Sequence, residues 1–320
     1  MVRRHELTDA QWQKIEPLLP ANGMPGGQWA DHRTVINGVL FRARTGVPWP
    51  DLPERYGPWQ TVYERHRRWS TDGTWQRILT ELQIEADAAD PGGQLAKTAW
   101  EESRQHTREW AVNIDSTSCR AHQHAAGARH RPPRDFPQKG GGARVEADGR
   151  EALGRSRGGL TSKIHLLSDD RARPLTWQTS PGQRGDSPMF IPVLEGLRIR
   201  RRGPGRPRCR PDRVRGDKAY SSRDNRAYLR RRGIKATIAQ PDDQRAKRRR
   251  KGRAGGRPPA FDKAQYRRRS AVERCVSKWK QFRAVATRYD KRDYIFNGTL
   301  TVAAIVIWLR DTVQEPSETP

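Results

Sequence analysis

Three observations predict a mixed α/β chain with a helical N-terminal region. Apolar residues recur at helical spacing up to about residue 88, and beyond residue 107 the pattern changes to alternation. The later segments then run as strands, a crossover helix, more strands and final helices, the order of a layered α/β unit. A chain of 320 residues has room for two domains of ordinary size, and 11 Trp with several Val/Ile/Leu strings supply a core although only 33% of residues are hydrophobic. The expected boundaries are a helical, helix-turn-helix-like domain over 1–88, a linker over 89–107, a mixed α/β domain over 108–312 and a tail over 313–320.

The elements follow in order. Thr8 is placed to cap a first helix carrying Trp12, Ile15, Leu18 and Leu19, which Pro20 stops. A second helix is expected from Asp31 to Arg44, broken by Gly46-Val47-Pro48-Trp49-Pro50. A short helix near Leu52 to Tyr56, the turn Gly57-Pro58 and a basic helix from Trp59 to Trp69 form the layout of a helix-turn-helix reader, although helical packing modules share it. Trp110 to Asp115 alternates as a strand, and 159–167 with 173–178 form a hairpin turning at Ser168-Asp169-Asp170-Arg171. Ser187 to Leu197 reads as a helix, Arg213 to Asp217 as a short strand, Ser222 to Arg232 as a helix closed by Gly233, and Ile234 to Ala239 as another strand. A long helix from Gln265 to about Thr287 and a last one from Asn297 to Thr312 complete the chain. Two Gly/Arg-rich stretches, about 125–158 and 240–262, are expected to be loops that order on a partner, if at all.

The formal net charge is +27, and the surplus is mostly Arg, which clusters. Arg-rich usage can reflect coding bias and a solvated surface. The block Lys247-Arg248-Arg249-Arg250 nevertheless repels itself unless an anion neutralises it, and nucleic acid is the abundant intracellular polyanion. No apolar run approaches the roughly 20 residues of a spanning helix, and the N-terminus leads into polar helix rather than an apolar signal core. The expected location is therefore cytoplasmic and nucleoid-associated, without membrane contact. Three scattered cysteines, Cys119, Cys209 and Cys275, give neither a disulfide framework nor a zinc cluster.

Candidate chemistry sits first on the long helix. Tyr266, Arg269, Glu273 and Lys280 are spaced by 3, 4 and 7 residues and share one face at about 100° per residue. A plain salt-bridge row has the same spacing. Asp115 and Asp217 change the weighing, because each follows an apolar strand where a carboxylate costs desolvation unless cations or donors compensate. Two strand carboxylates and one on a packed helix can converge. Carboxylate oxygens suit Mg²⁺ or Mn²⁺, and two such ions about 3.5–4 Å apart can activate a water or a 3′-hydroxyl at a phosphodiester.

The pattern Tyr266-x2-Arg269-x3-Glu273-x6-Lys280 resembles the signature of bacterial DDE transposases of the insertion-sequence-four and insertion-sequence-five families. Ile114-Asp115-Ser116-Thr117 and Gly216-Asp217-Lys218-Ala219-Tyr220 are similar to the two aspartate motifs of the insertion-sequence-five family, and Leu7-Thr8-Asp9 with Gly46-Val47-Pro48-Trp49 resembles its N-terminal stretch. The resemblance implies an RNase H-like catalytic fold, with Asp115, Asp217 and Glu273 as ligands of two Mg²⁺ or Mn²⁺ ions. It also implies Tyr266, Arg269 and Lys280 as DNA or phosphate contacts. The implied activity is cleavage of double-stranded DNA at an element's terminal inverted repeats and strand transfer into target DNA, by a homodimer or higher oligomer on the DNA. Arg65, Arg67 and Arg68 are expected to contact the end DNA, with Lys247, Arg248, Arg249 and Arg250 as further contacts. A non-catalytic, domesticated DNA-binding regulator is the alternative. His122, His124 and His130 lack the partners of a zinc finger, and Cys119 has no paired base.

Overall fold

The computed structural model describes residues 4–21, 28–89, 109–128 and 151–313. Most of the expected linker, the middle of the first Gly/Arg-rich stretch with His130, and nearly all of the expected tail lie outside these residues.

Four helices open the chain: α1 (Asp9–Ile15), α2 (His32–Thr45), α3 (Trp59–Thr71) and α4 (Thr74–Ala89). Thr8 caps α1 through a reciprocal box with Gln11, and Asp31 caps α2 by accepting the Thr34 N–H at 2.7 Å. The short helix expected near Leu52 is only a 3₁₀ turn, Glu54–Tyr56, ahead of α3. Pro53 starts that turn and Gly57, at φ +78°, ends it, which leaves no length for an α-helix.

The sheet holds seven strands: β1 (Ala111–Ala121), β2 (Gly154–Ser156), β3 (Gly159–Ser168), β4 (Pro174–Pro181), β5 (Arg213–Gly216), β6 (Lys235–Ile238) and β7 (Thr287–Arg288). β1 is its axis. β3 runs antiparallel along one edge of β1 and carries β2 and β4, while β5 and β7 pair parallel along the other edge and β6 extends β5 in parallel. Short α5 (Gln123–Ala126) follows β1. α6 (Phe190–Glu195) leads toward β5, and α7 (Arg223–Arg231), capped by Ser222, joins β5 to β6.

Three expectations need correction. β1 continues six residues past Asp115, so Asp115 lies inside a strand rather than at its end. Within 240–262, α8 (Asp242–Arg250) is helical: two aspartates in its first turn and four basic residues in its last complement the helix dipole. The long helix over 265–287 is three pieces: α9 (Lys263–Arg267), α10 (Ser270–Lys280) and α11 (Arg283–Ala286). Between α9 and α10 the chain tightens through successive i→i−3 hydrogen bonds, with Arg268 drawn to Asp170 and Arg269 to Asp115. Phe282, extended at ψ 112°, separates α10 from α11.

The last helix, α12 (Asp293–Thr312), is buried along almost its whole length. It lies between the N-terminal helices and the sheet, so both share one apolar core. Gly298 permits the close crossing with α3, because a Cβ there would stand 2.7 Å from Ser70 Cβ. Trp177 Nε1 donates to Asn297 at 3.1 Å, and Trp308 Nε1 to the Pro174 carbonyl at 2.8 Å. Buried Arg42 of α2 pairs with buried Asp290 at 2.9 Å, which ties the N-terminal helices to the segment ahead of α12. No helix among the described residues is long and apolar enough to cross a membrane.

Candidate active site

Register decides where the first two carboxylates stand. Asn113 of β1 is the partner of Arg215 of β5, so Asp115 and Asp217, each two residues further on, lie side by side as β5 ends. Gly216 allows that approach: a Cβ would fall 2.9 Å from Ile114 Cγ2. Asp217 caps the 3₁₀ turn Lys218–Tyr220, its Oδ1 accepting the Ala219 N–H at 2.8 Å. Asp115 Oδ1 accepts the Ser116 N–H at 2.8 Å.

The third carboxylate comes from the first turn of α10. Arg269, at the joint ahead of it, donates through Nη1 to Asp115 Oδ2 at 3.4 Å and through Nη2 to Glu273 Oε1. One guanidinium therefore joins two of the three acids. Burial pushes the Asp115 carboxyl above its ordinary range, and the negative charges of Asp217 and Glu273 push the same way against Arg269. Partial burial opposes the Arg269 charge, yet Glu273 and Asp115 hold its pKa above the usual value. Tyr266 has its ring centroid 5.7 Å from this guanidinium and packs on Phe261. Lys280 Nζ donates to the Ser118 carbonyl at 2.7 Å, three residues along β1 from Asp115. Arg269 and Lys280 thus reach β1, while Tyr266 and Glu273 flank the Arg269 guanidinium.

The donor set is three carboxylates, hard oxygen ligands that suit a small divalent cation. A cation already sits among them as Arg269, which shows the electrostatic demand of the site. Among the described residues no three His, Cys, Asp or Glu side chains stand close enough to enclose one metal ion.

Sequence reasoning missed the supports beneath this site. Arg215, 1% exposed, donates to Asp170 Oδ1 at 2.5 Å, to Asn113 Oδ1 at 3.3 Å and to Gln265 Oε1 at 2.6 and 3.2 Å. Asp170 also accepts from Arg268 at 2.9 Å, so the β3–β4 turn, β5 and the α9–α10 joint are clasped together. On the other face of β1, Ser116 Oγ donates to Asp186 Oδ1 at 2.6 Å and Lys163 Nζ to the same oxygen at 3.1 Å. Only the apolar neighbours of Arg215 mark it in the sequence, and nothing marks Asp186.

The expected DNA contacts separate into two groups. Arg65 is corrected: it faces inward at 5% exposure, bonded to His32 Nδ1 at 2.6 Å and stacked on Trp29 and Trp69. Burial lowers its pKa to about 10, with the Arg68 charge adding to the effect. Helical periodicity puts Arg65 on the face of Val62 and Trp69, which the α2 side of the bundle covers. Arg67, paired with Glu64 at 2.7 Å, and Arg68, over Trp29 at 4.7 Å, border an open cleft with Thr61, Thr71 and Asp72, and the mostly buried Arg65 lines the floor of the same cleft. Lys247, Arg248, Arg249 and Arg250 all lie in the last turn of α8, which buries no residue. His122 and His124 stack on each other in the α5 region with no third ligand among the described residues. The Cys119 thiol is buried, donates to the Val285 carbonyl and is pushed up to about 11, which makes it inert as a nucleophile.

Comparison with known proteins identifies the family. A family described as "Transposase DDE domain" matches residues 106–309, and one described as "Putative transposase of IS4/5 family" matches residues 7–79. An uncharacterized protein of Sinorhizobium fredii, y4sN, is 38% identical over 125 residues, which cover 38% of this chain and 82% of that protein. An uncharacterized 16.2 kDa protein of insertion element IS402 from Burkholderia cepacia is 35% identical over 26% of this chain and 62% of its own length. A putative transposase for insertion sequence element IS6501 from Brucella ovis is 29% identical over 47% of this chain and its entire length. No solved structure matches. With an RNase H-like sheet under the acids and family matches over residues 7–79 and 106–309, the chain belongs to the DDE transposases of the IS4/5 family.

Proposed function

We propose that this transposase binds the inverted terminal repeats of its own insertion sequence and performs cut-and-paste transposition. The observation that supports the reading is a cluster of charge from three separate segments: Arg269 bridges Asp115 and Glu273, and the Asp217 and Glu273 charges both bear on the Asp115 carboxyl. Asp115, Asp217 and Glu273 are the residues that would hold two Mg²⁺ or Mn²⁺ ions. When bound, those ions supply Lewis-acid activation of water or a 3′-hydroxyl and stabilise the leaving oxygen.

The rest falls to the chain. Arg269 pairs with Asp115 and Glu273, and its fork would match a DNA phosphate bidentately. Lys280 holds a second phosphate beside β1, and the Tyr266 ring lies 5.7 Å from the Arg269 guanidinium as a cation–π support. Partial burial of the Asp115 carboxylate strengthens its interaction with Arg269. Two ends must be held together for strand transfer, so the working form on DNA is a homodimer or larger.

A supercoiled donor plasmid carrying the element ends tests this reading. Asp115→Asn, Asp217→Asn and Glu273→Gln are each expected to abolish Mg²⁺-dependent cleavage while end binding stays within a few-fold of wild type. Near wild-type cleavage by any one variant removes that residue from the site. Binding without cleavage by the wild-type chain in Mg²⁺ and Mn²⁺ would point instead to a DNA-binding regulator.

A further inference from the structure

The segment between α6 and β5 is a finger that none of the chemistry above uses. Ile199 and Arg208 close its base as an antiparallel bridge, with N–H···O bonds of 3.0 and 2.8 Å in the two directions. The base is anchored: Ile199 is buried in the core, and Arg208 pairs with Asp87 and stacks on Trp110 at 4.2 Å. Beyond the bridge, residues 200–206 are all exposed. Their sequence is Arg200-Arg201-Arg202-Gly203-Pro204-Gly205-Arg206, and the stretch from 196 to 211 contains no acid. None of these four arginines has an ion pair among the described residues. Like charges packed into one short turn repel unless a polyanion neutralises them.

From this geometry we propose that the finger is a minor-groove contact for A·T-rich duplex DNA flanking the cleaved phosphate. The proposal rests on the reading of DNA as substrate. The tip contains no helix to lie in a major groove. It is thin, since Gly203 and Gly205 have no Cβ, and stiff, since Pro204 and Pro207 fix their φ. Gly205 sits at φ +139°, a conformation L side chains rarely adopt, so the thin turn is built into the chain. The minor groove is about 6 Å wide, and over A·T tracts it narrows and its negative potential deepens, which draws in weakly hydrated guanidinium groups.

Position fits the same role. Trp110, at the finger's base, is five residues before Asp115 on β1, which is about 17 Å at 3.3 Å per residue. That separation corresponds to about five base pairs, so the finger meets DNA outside the scissile step.

The test uses the full chain and three short duplexes that differ only in a central tract of A·T, I·C or G·C pairs. Inosine·cytosine carries the minor-groove face of A·T and the major-groove face of G·C. Wild type is expected to bind the A·T and I·C duplexes equally and the G·C duplex at least about tenfold more weakly. Replacing Arg200, Arg201, Arg202 and Arg206 with Ala is expected to abolish the preference and to reduce the salt slope by about 3.6, at 0.9 per phosphate contact. Replacing the same four with Lys keeps the slope and still loses the preference, and both variants should melt with wild type because the tip is exposed.

An I·C duplex that behaves like G·C, a wild type with no preference, a Lys variant that retains it, or an Ala variant with an unchanged slope each overturns the proposal. Plasmid nicking in Mg²⁺ separates this from the reading beneath it. Wild-type nicking without any tract preference overturns the finger alone, whereas finger-dependent preference without nicking upholds the finger and overturns the cleavage chemistry.

Discussion

Asp170→Ala strikes the clasp that holds the α9–α10 joint over the sheet, and its cost can be worked from the contacts. The carboxylate accepts from Arg215 at 2.5 Å, Asn113 Nδ2 at 3.0 Å and Arg268 at 2.9 Å. Arg268 is 46% exposed on its side chain, so that pair contributes no more than about 1 kcal/mol. Arg215 has a 1% exposed side chain, and breaking a buried pair by removing one partner costs about 3–5 kcal/mol. Gln265 and Asn113 still accept from Arg215 after the change and offset part of that loss. The expected destabilisation is about 3 kcal/mol. With a urea slope of about 3 kcal/mol/M the midpoint moves down by about 1 M. Conservative Asp170→Asn keeps one acceptor and should lose roughly half as much. Because Arg215 also holds Gln265, one residue before Tyr266, cleavage should fall more than end binding does. A loss under about 1 kcal/mol for Asp170→Ala, with unchanged cleavage, would show that the clasp neither stabilises the chain nor positions the joint.

Other consequences can be measured directly. Burial lowers His66 and His165 to about 4, so both stay neutral in the fold while the unfolded chain takes up protons below pH 6.5. Stability should therefore fall as pH drops from 6.5 toward 4, by about 2 kcal/mol per histidine at pH 5. A melting temperature that stays flat from pH 7 to 5 refutes the neutral assignment. Arg65→Ala is expected to destabilise the N-terminal helices with little change in the salt slope of DNA binding, whereas Arg67→Ala with Arg68→Ala should reduce that slope by about 2 and spare stability. Asp290→Ala leaves Arg42 buried without its carboxylate and should cost about 3–5 kcal/mol by urea unfolding; a loss below about 1 kcal/mol would mean that water or other acceptors already serve Arg42.

The sheet and the acids were legible in the sequence for different reasons. Alternation over 110–115, 159–167 and 173–178 marked β1, β3 and β4, and spacing marked the side of Tyr266, Arg269, Glu273 and Lys280. Periodicity reports which residues are apolar, however, and not where a strand ends. The polar residues Ser116 to Arg120 hid the second half of β1, whose strand conformation is fixed by five cross-strand partners on β3. Arg65 misled for a related reason. A basic residue on a basic helix reads as a surface group, yet Trp29, Trp69 and His32 make a polar and aromatic niche that only tertiary structure assembles. The joint at 268–269 was invisible because it is set by two aspartates from other segments, Asp170 and Asp115, pulling neighbouring arginines apart.

Arg269 ties these levels together. Its position at the joint, rather than in mid-helix, lets one side chain reach back to a strand acid and forward to a helix acid. A helix continuous through the joint would keep the i,i+4 reach of Arg269 to Glu273 but turn its backbone away from β1, and the Asp115 charge would then go uncompensated. The three-piece helix is thus a requirement of the charge arrangement. Any change that straightens the joint, such as Ser270→Ala with Arg268→Ala to favour continuous helix and release Asp170, removes cation from the acids before it removes an acid. Such a variant should lose cleavage while all three carboxylates remain, and its Asp115 should bind Mg²⁺ no better than wild type. Full cleavage with a continuous helix would mean that the acids gather without Arg269 and that the joint is incidental.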